Sequence, residues 1–193
     1  MKNEESIEIN SKQSDKIIGL CGSLQKNSLN KKLLHEAVRL YGNCDFKETE
    51  LSLPLYNNDE ENLGFPKNVL NLTKDIKNSE GVIITSPEYN KGISGVLKNA
   101  LDWISRVPGS FLKNKPVVVM SAAAGRSGGE TSQYMVRSCL TPFGPRLISY
   151  PIICVANASK EFNENGILTS DRYIRSIKEA MANLKKEIYY NQS

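Results

Sequence analysis

Short apolar runs alternate with stretches of helical periodicity along most of this sequence. The apolar runs have the length of strands and occupy residues 16–21, 46–51, 81–86, 115–121 and 147–155. Between them, apolar residues recur every three or four positions, which predicts helices. These predicted helices cover residues 29–41, 66–78, 94–106, 130–140 and 171–190. We expect residues 54–65 to be irregular and residues 122–129 to form a loop.

The alternation of the two patterns predicts the fold class. Strands that are apolar throughout are typical of a sheet covered on both faces, and strict alternation with helices indicates a parallel α/β sheet. We therefore expect a flavodoxin-like fold, with a five-stranded doubly wound parallel sheet and helices on both faces. Pro151 indicates that the last strand lies at an edge. One domain is expected over residues 15–193, after a loose polar tail over residues 1–14.

Composition narrows the class of protein further. The chain has 193 residues, of which 39% are hydrophobic and 24% charged, as in soluble globular proteins. The formal net charge of +4 is spread along the chain, without a basic run of the kind that binds nucleic acid. No apolar run approaches the roughly 20 residues that a membrane span needs. We expect neither nucleic acid nor membrane as a partner.

The cysteines and the histidine exclude several kinds of site. The four cysteines contain no Cys-x-x-Cys pair, and the polar N-terminus does not resemble a signal peptide. These features predict a reducing, cytoplasmic location. His35, the single histidine, falls in a helical pattern, where a surface position is expected. With one histidine, neither a His-rich metal site nor a Ser-His-Asp triad is expected.

Three polar loops follow predicted strands 1, 3 and 4. Ligands of open α/β sheets bind outside the carboxyl ends of the strands, where the strand order reverses. The first loop, residues 22–30, carries Ser23 and Ser28, and Ser28 is a credible N-cap. Backbone N–H groups at such a helix start favour a phosphate. The loop has neither a Walker nor a G-x-G-x-x-G pattern, so it suits a phosphomonoester; alternatively, it is only a capped helix after a tight turn.

The second loop begins at Pro87, which stiffens the exit from the strand. Gly92 allows the backbone to approach a flat ligand closely. Tyr89 offers a ring face and a hydroxyl, and Asn90 offers a donor and an acceptor. The alternative is that Tyr89 packs under the loop while Asn90 forms a turn.

The third loop, residues 121–129, is rich in Gly, Ala and Ser. Its small residues leave room for a planar ligand, and exposed N–H groups can stabilise negative charge on that ligand. The alternative is a flexible connector.

Together these loops resemble those of the NADPH-dependent FMN reductase family, whose relatives include bacterial quinone, azo-dye and chromate reductases. The matching stretches are GSLQKNSLNKKL, SPEYNKGISGVLKNALDWISR and SAAAGRSGGETSQYMVRSCL, of which the second is the most specific. The resemblance covers about residues 16 to 155.

The resemblance implies a site for FMN on these loops. Ser23, Ser28 and Asn30 would hold the phosphate, the second loop would line the ribityl chain and ring, and the third would approach the pyrimidine end. The full implied set is Ser23, Gln25, Ser28, Leu29, Asn30, Pro87, Glu88, Tyr89, Asn90, Ser121, Gly125 and Gly128.

The implied activity is electron transfer from NADPH or NADH through FMN to an acceptor such as a quinone, azo compound, nitroaromatic, free flavin or chromate. No side chain need act as acid, base or nucleophile, because the cofactor carries the chemistry.

Two residues depart from the family pattern: Gln25 replaces a usual Arg, and Ser94 replaces a usual Pro. The neutral Gln25 predicts weak discrimination between NADPH and NADH, unless Arg126 supplies the missing charge. Ser94 is expected only to loosen a turn.

Two other functions fit the same fold. A flavodoxin-type electron carrier is usually strongly acidic, and the net charge of +4 argues against it. A regulatory subunit without cofactor is disfavoured by the intact loops.

The resemblance also implies a homodimer or homotetramer. Trp103 lies at the edge of an apolar helix face and is a candidate interface anchor, although it could equally lie flat on its own domain.

Overall fold

A computed structural model of the chain describes residues 14–192. The strands in this range are β1 Lys16–Cys21, β2 Asp45–Thr49, β3 Gly81–Thr85, β4 Glu88–Tyr89, β5 Gly92–Ile93, β6 Pro116–Ala122, β7 Arg146–Leu147 and β8 Ile153–Val155. The α-helices are α1 Leu29–Tyr41, α2 Asn58–Leu63, α3 Lys67–Asn78, α4 Gly95–Arg106, α5 Glu130–Leu140 and α6 Asp171–Gln192. The predicted tail, residues 1–14, lies outside the described residues except for Ser14.

The main sheet has the order β2-β1-β3-β6, with β7 and β8 both paired to β6, and all of these pairings are parallel. This order confirms the predicted flavodoxin-like, doubly wound fold, and it reverses between β1 and β3. The register aligns Cys21 with Thr85 and Thr85 with Met120. The segments that follow β1, β3 and β6 therefore leave the same edge of the sheet side by side.

The last predicted strand, residues 147–155, is broken into two short strands. β7 pairs with the start of β6 and β8 with its end, so the main sheet has six strands rather than five. Pro151 lies in the break, and a proline cannot donate the backbone hydrogen bond that a continuous ladder needs. The predicted edge position of this segment is confirmed.

Both faces of the sheet are covered, which explains why its strands are apolar throughout. Ile17 and Ile83 pack with α1 and α6 on one face. Ile18 and Ile84 pack with α3, α4 and α5 on the other. Successive side chains of a strand point to opposite faces, so each central strand needs two apolar sets.

The segment before α3 contains a helix that the sequence pattern did not predict. The Asn57 side chain caps α2 by accepting a hydrogen bond from the Asp59 N–H. Asp59, Glu60 and Glu61 in its first turn interact favourably with the helix dipole. No residue of α2 is buried, so it has no apolar periodicity to detect. The prediction of an irregular segment over residues 54–65 is therefore wrong for residues 58–63.

Trp103 of α4 is fully buried within its own chain. Its indole Nε1 donates to the Pro54 carbonyl at 2.8 Å. The rings of Tyr56 and Phe65 meet its ring edge-on, with centroids 5.1 and 6.4 Å away. The interpretation of Trp103 as an interface anchor is wrong, because the segment that carries α2 covers the indole.

We expect Trp103→Ala to lower the free energy of unfolding by about 3–5 kcal/mol, because it leaves a large cavity. Trp103→Phe should cost about 1–2 kcal/mol, because the Pro54 carbonyl keeps its hydrogen bond from the Asn99 side chain. Urea unfolding of the cofactor-free protein measures both. Tyr190→Ala, at an exposed aromatic of α6, serves as the control and should change stability by less than about 0.5 kcal/mol. A loss below about 1 kcal/mol for Trp103→Ala would contradict this account.

Candidate functional site

Three loops meet at the carboxyl edge of the sheet: loop 1 (residues 22–28), loop 2 (residues 86–94) and loop 3 (residues 123–129). The Gly22 N–H donates to the Thr85 carbonyl at 2.7 Å, which joins loop 1 to the end of β3. The Ser86 N–H donates to the Met120 carbonyl at 3.1 Å, which joins loop 2 to β6. The structure thus brings together the three segments that carry the predicted site residues.

Ser28 forms the predicted N-cap of α1. Its buried Oγ accepts hydrogen bonds from the N–H groups of Asn30 and Lys31, at 3.2 and 3.3 Å. The N–H of Leu29 has no hydrogen-bond partner among the described residues. A capped helix start with a remaining donor and a positive dipole end can receive an anion.

Gln25 closes the turn in loop 1. Its carbonyl accepts from the Ser28 N–H at 3.2 Å, and its own N–H donates to the Ser23 Oγ at 3.3 Å. Within the described part of the chain, the N–H groups of Lys26 and Asn27 remain without partners. Loop 1 therefore offers several backbone donors, and the Gln25 side chain itself is exposed.

Asn30 connects loop 1 to the end of β6. Its Nδ2 donates to the Ala122 carbonyl at 2.9 Å, and its Oδ1 accepts from the Ala122 N–H at 3.0 Å. The side chain is buried, so both bonds are shielded from water. Asn30 thus ties the start of α1 to the end of β6, and its side-chain amide is engaged by the backbone of Ala122.

Loop 2 is a small β-hairpin, which the sequence pattern did not predict. β4 and β5 pair antiparallel around a two-residue turn, in which Asn90 and Lys91 both have positive φ, 50° and 64°. Such turns favour Asn, which adopts this conformation more readily than most residues. The alternative in which Asn90 forms a turn is therefore correct. Tyr89 is 55% exposed, so the alternative that it packs under the loop is wrong.

Glu88 caps α5 from a different loop. Its Oε2 accepts from the N–H of Ser132, the third residue of α5, at 3.2 Å. Gly129, the N-cap residue itself, is left-handed and provides no side-chain cap. The Glu88 carboxylate therefore supplies the missing acceptor and the negative charge that a helix start favours. Lys91 lies 3.6 Å from its other oxygen.

Three buried groups join loop 2 to α5 beside this contact. The hydroxyl oxygens of Ser86 and Ser132 lie 3.1 Å apart. Ser132 also donates to the carbonyl of Pro87 at 2.9 Å, and Pro87 is buried. Ser86 and Ser132 were not among the site residues predicted from the sequence. The sequence signal for Ser132 was its small hydroxyl side chain at the third position of the predicted helix, where a neighbouring loop can approach the helix start.

Ser94, the second departure from the family pattern, has a defined role. Its buried Oγ accepts from the Leu97 N–H at 3.3 Å and caps α4. The expectation that Ser94 only loosens a turn is wrong. A Cβ on Gly22 would lie 2.7 Å from this Oγ, so Gly22 lets loop 1 pass close to the start of α4.

Loop 3 is held in shape by Ser121. The buried Ser121 hydroxyl donates to the Gly128 carbonyl at 2.7 Å and accepts from the Gln133 side chain at 3.1 Å. Gly128 has φ 64°, and a Cβ there would lie 2.6 Å from the backbone of Cys154. By contrast, a Cβ on Gly125 would meet no atom within 4 Å. Ser121 and Gly128 shape the loop, whereas Gly125 borders open space.

The thiols near the site are protonated at neutral pH. Burial raises the pKa of the Cys21 thiol, although a hydrogen bond with the Ser23 backbone and side-chain hydrogen bonds lower it in part. Burial likewise raises the pKa of Cys154, whose Sγ lies 3.3 Å from the Gln133 amide nitrogen. Neither thiol has the low pKa that activates a cysteine nucleophile.

The surface that remains for a ligand is rich in neutral donors. In addition to the loop 1 donors, the N–H groups of Ala124, Gly125 and Arg126 have no partner among the described residues. Tyr89 and the open space at Gly125 border the same edge of the sheet. The arrangement fits an elongated ligand with a phosphate at loop 1 and a flat group between loops 2 and 3. Within residues 14–192, no cluster of three His, Cys, Asp or Glu side chains could hold a metal ion.

The chain is similar in sequence to known proteins. The sequence profile of the NADPH-dependent FMN reductase family matches residues 16–159. An NAD(P)H-dependent FMN reductase of Pseudomonas aeruginosa is 35% identical over 159 residues, which cover 81% of this chain and 86% of the relative. A quinone reductase of Escherichia coli K12 is 34% identical over 139 residues, covering 70% of this chain and 74% of the relative.

A solved structure is also similar. The flavoenzyme FerB, an NAD(P)H:(acceptor) oxidoreductase of Paracoccus denitrificans, superposes with a TM-score of 0.83 at 27% sequence identity. The superposition covers 91% of this chain and 98% of FerB.

Loss of the Glu88 cap should loosen the start of α5. We expect Glu88→Ala to lower the free energy of unfolding by about 1–2 kcal/mol and to speed exchange of the Ser132 amide proton. Glu88→Gln keeps an acceptor and should recover most of this protection. The control is Glu130→Ala, which removes a charge from the same turn but not the bond from Glu88. Equal effects of Glu88→Ala and Glu130→Ala on the Ser132 amide would exclude the cap.

Proposed function

The chain belongs to the NADPH-dependent FMN reductase family and is an oxidoreductase that uses FMN and NAD(P)H; we propose that it passes electrons from the nicotinamide to a quinone. The observation that carries this proposal is the set of three loops at the carboxyl edge, joined by buried hydrogen bonds and presenting backbone donors. Azo compounds, nitroaromatics, free flavin and chromate are further acceptors in the proposal.

The residues at this edge fit FMN. We assign its phosphate to the Ser23 hydroxyl, the backbone donors of loop 1 and the start of α1, because free N–H groups beside a helix dipole suit a phosphomonoester. The ribityl chain and ring would lie along Glu88, Tyr89 and Asn90. The pyrimidine end would face Gly125 and the free N–H groups of loop 3.

FMN, when bound, supplies the redox chemistry of hydride acceptance and onward electron transfer. The chain contributes binding, orientation and electrostatics. Glu88 is already engaged by α5, and the Cys21 and Cys154 thiols have raised pKa values. None of these groups is suited to act as base or nucleophile, so the protein acts by positioning two reactants in turn at one surface.

A flat acceptor has an apolar wall beside loop 2. Tyr89, Tyr134 and Met135 are 55%, 59% and 41% exposed. Met135 reaches loop 2, since its sulfur would lie 3.4 Å from a Cβ on Gly92. Exposed aromatic and thioether groups suit stacking with a quinone or nicotinamide ring. Steady-state NADPH oxidation with a quinone tests this function; binding of FMN without turnover would instead favour a flavodoxin-type carrier.

We also propose a cytoplasmic location, without a nucleic-acid or membrane partner. Cys21, Cys44, Cys139 and Cys154 are all free thiols, which supports a reducing compartment. Among residues 14–192, none of the helices combines the length and apolar character needed to cross a membrane.

We expect the bound flavin to be FMN rather than FAD, and chromatography of the flavin released by denaturation identifies it. Ser28→Asp should weaken FMN binding, because the new carboxylate repels the phosphate while Asp still caps α1. Ser28→Asn is the matched control, since Asn also caps a helix but carries no charge. The dissociation constants follow from quenching of flavin fluorescence. Release of FAD, or equal FMN affinity in the Asp and Asn variants, would contradict this assignment.

We further propose that the protein is a homodimer or homotetramer. Leu55 and Leu63, in the segment that covers Trp103, are 81% and 85% exposed and are the apolar candidates for contact with a second copy. Light scattering at micromolar concentration should give at least twice the monomer mass. Leu55→Asp/Leu63→Asp should shift the protein toward monomer, and Ile167→Asp, at a 42% exposed site elsewhere, should not. A wild-type monomer would exclude the proposed assembly.

A further inference from the structure

A hollow of about 500 Å³ lies beside loop 1, between the start of α1 and residues 164–166. Lys26 of loop 1 and Lys31, Lys32 and His35 of α1 line one side of it. We call this feature the basic hollow. Ser28 also lines it, so it adjoins the phosphate end of the proposed FMN site.

Two of the lysines in the basic hollow lack a carboxylate partner. Glu48 lies 3.1 Å from Lys31 and 2.8 Å from His35, which neutralises that part of the wall. Among the described residues, no carboxylate lies within 4 Å of the amines of Lys26 and Lys32. Glu164 lines the opposite wall, so the hollow retains an excess of positive charge.

The opposite wall of the basic hollow is a tight turn. The Asn163 side chain accepts hydrogen bonds from the N–H groups of Asn165 and Ile167, both at 3.0 Å. Gly166 has φ 76°, and a Cβ there would lie 3.6 Å from the Lys32 side chain. The Lys32 stem therefore packs along the turn, which limits the positions of its amine.

The hollow on the other side of loop 1 has the opposite charge. It has a volume of about 370 Å³ and is lined by Glu48, Glu50 and Lys31 as well as Ser23 and Leu24, so two carboxylates outnumber one amine. A second phosphate near loop 1 would therefore be favoured more by the basic hollow than by this one. Arg126, the other candidate cation, is exposed in loop 3 and has no hydrogen-bond or ion-pair partner among the described residues.

We propose that the basic hollow binds the 2′-phosphate of NADPH through Lys26 and Lys32. This inference rests on the proposed function, because it requires a nicotinamide dinucleotide at the site. The 2′-phosphate is the group that distinguishes NADPH from NADH, and two lysines provide the cationic charge that the neutral Gln25 lacks. Exposed lysines bind a phosphate weakly, so we expect a preference for NADPH of about fivefold to tenfold.

The test compares Lys26→Gln/Lys32→Gln with wild type in the FMN-loaded protein. Calorimetry gives the dissociation constants of NADP⁺ and NAD⁺, and assays with one quinone give kcat/KM for NADPH and NADH. We expect NADP⁺ binding and kcat/KM for NADPH to fall about fivefold to tenfold, while the NAD⁺ and NADH values stay within about twofold. The control, Lys178→Gln/Lys186→Gln, removes the same charge from exposed positions of α6. It should change neither the ratio of the NADP⁺ and NAD⁺ dissociation constants nor the ratio of kcat/KM for NADPH and NADH.

Three results would overturn the inference. One is an equal change for NADP⁺ and NAD⁺, and another is loss of the preference in Arg126→Gln alone. The third is weaker FMN binding in the lysine variant, measured by flavin fluorescence, which would assign the lysines to the FMN phosphate. A wild-type protein that binds no FMN, or oxidises neither dinucleotide, would overturn the proposed function as well. If the lysine variant oxidises both NADPH and NADH with the wild-type ratio of kcat/KM values, only the assignment of the 2′-phosphate to the basic hollow would be overturned.

Discussion

The site depends on a paired contact between one side chain and the backbone of one residue, the two hydrogen bonds between Asn30 and Ala122. It fixes the start of α1 against the end of β6, although 92 positions separate the two residues. Loops 1 and 3 are rich in small and polar residues, and ordering such loops costs conformational entropy. A buried amide that satisfies both the N–H and the carbonyl of one residue offsets part of this cost before any ligand binds, which is preorganisation.

The second constraint concerns the two helices that begin at this edge. α1 has a local cap, Ser28, whereas α5 begins after a left-handed glycine and takes its cap from Glu88 of loop 2. Both helix starts therefore direct N–H groups and positive dipole ends toward the edge where the loops meet. At α1 this supplies a positive field that favours an anion, whereas at α5 the Glu88 carboxylate offsets the positive end of the dipole. The start of α5 therefore needs the Glu88 carboxylate as its cap, whether or not Glu88 also contacts a ligand.

The sequence predicts those parts of the structure that have a local cause. Apolar runs and helical periodicity predict the sheet and five of the helices, and Ser28 was identified as a cap because the cap bonds lie within three residues. α2 has no buried face, and the strands of the hairpin are only two residues long. Neither element therefore produces a repeating pattern of apolar residues in the sequence. The break in the last strand, the burial of Trp103 and the contact from Glu88 to Ser132 arise from tertiary packing. Glu88 and Ser132 are 44 positions apart, and no local pattern relates them.

The central claim is that the three loops are formed before FMN binds. Hydrogen exchange of the cofactor-free protein tests it most directly, by comparing the amide protons of Ala122 and Ser132 with those of β3. Ala122 donates to Asn30 and Ser132 to Glu88, so each proton reports on one of the two contacts. The account predicts that both protons exchange about as slowly as those of Ile83 and Ile84, with little change when FMN is added. Rapid exchange of Ala122 and Ser132 without FMN, slowed only by FMN, would show that the ligand rather than the chain orders the site.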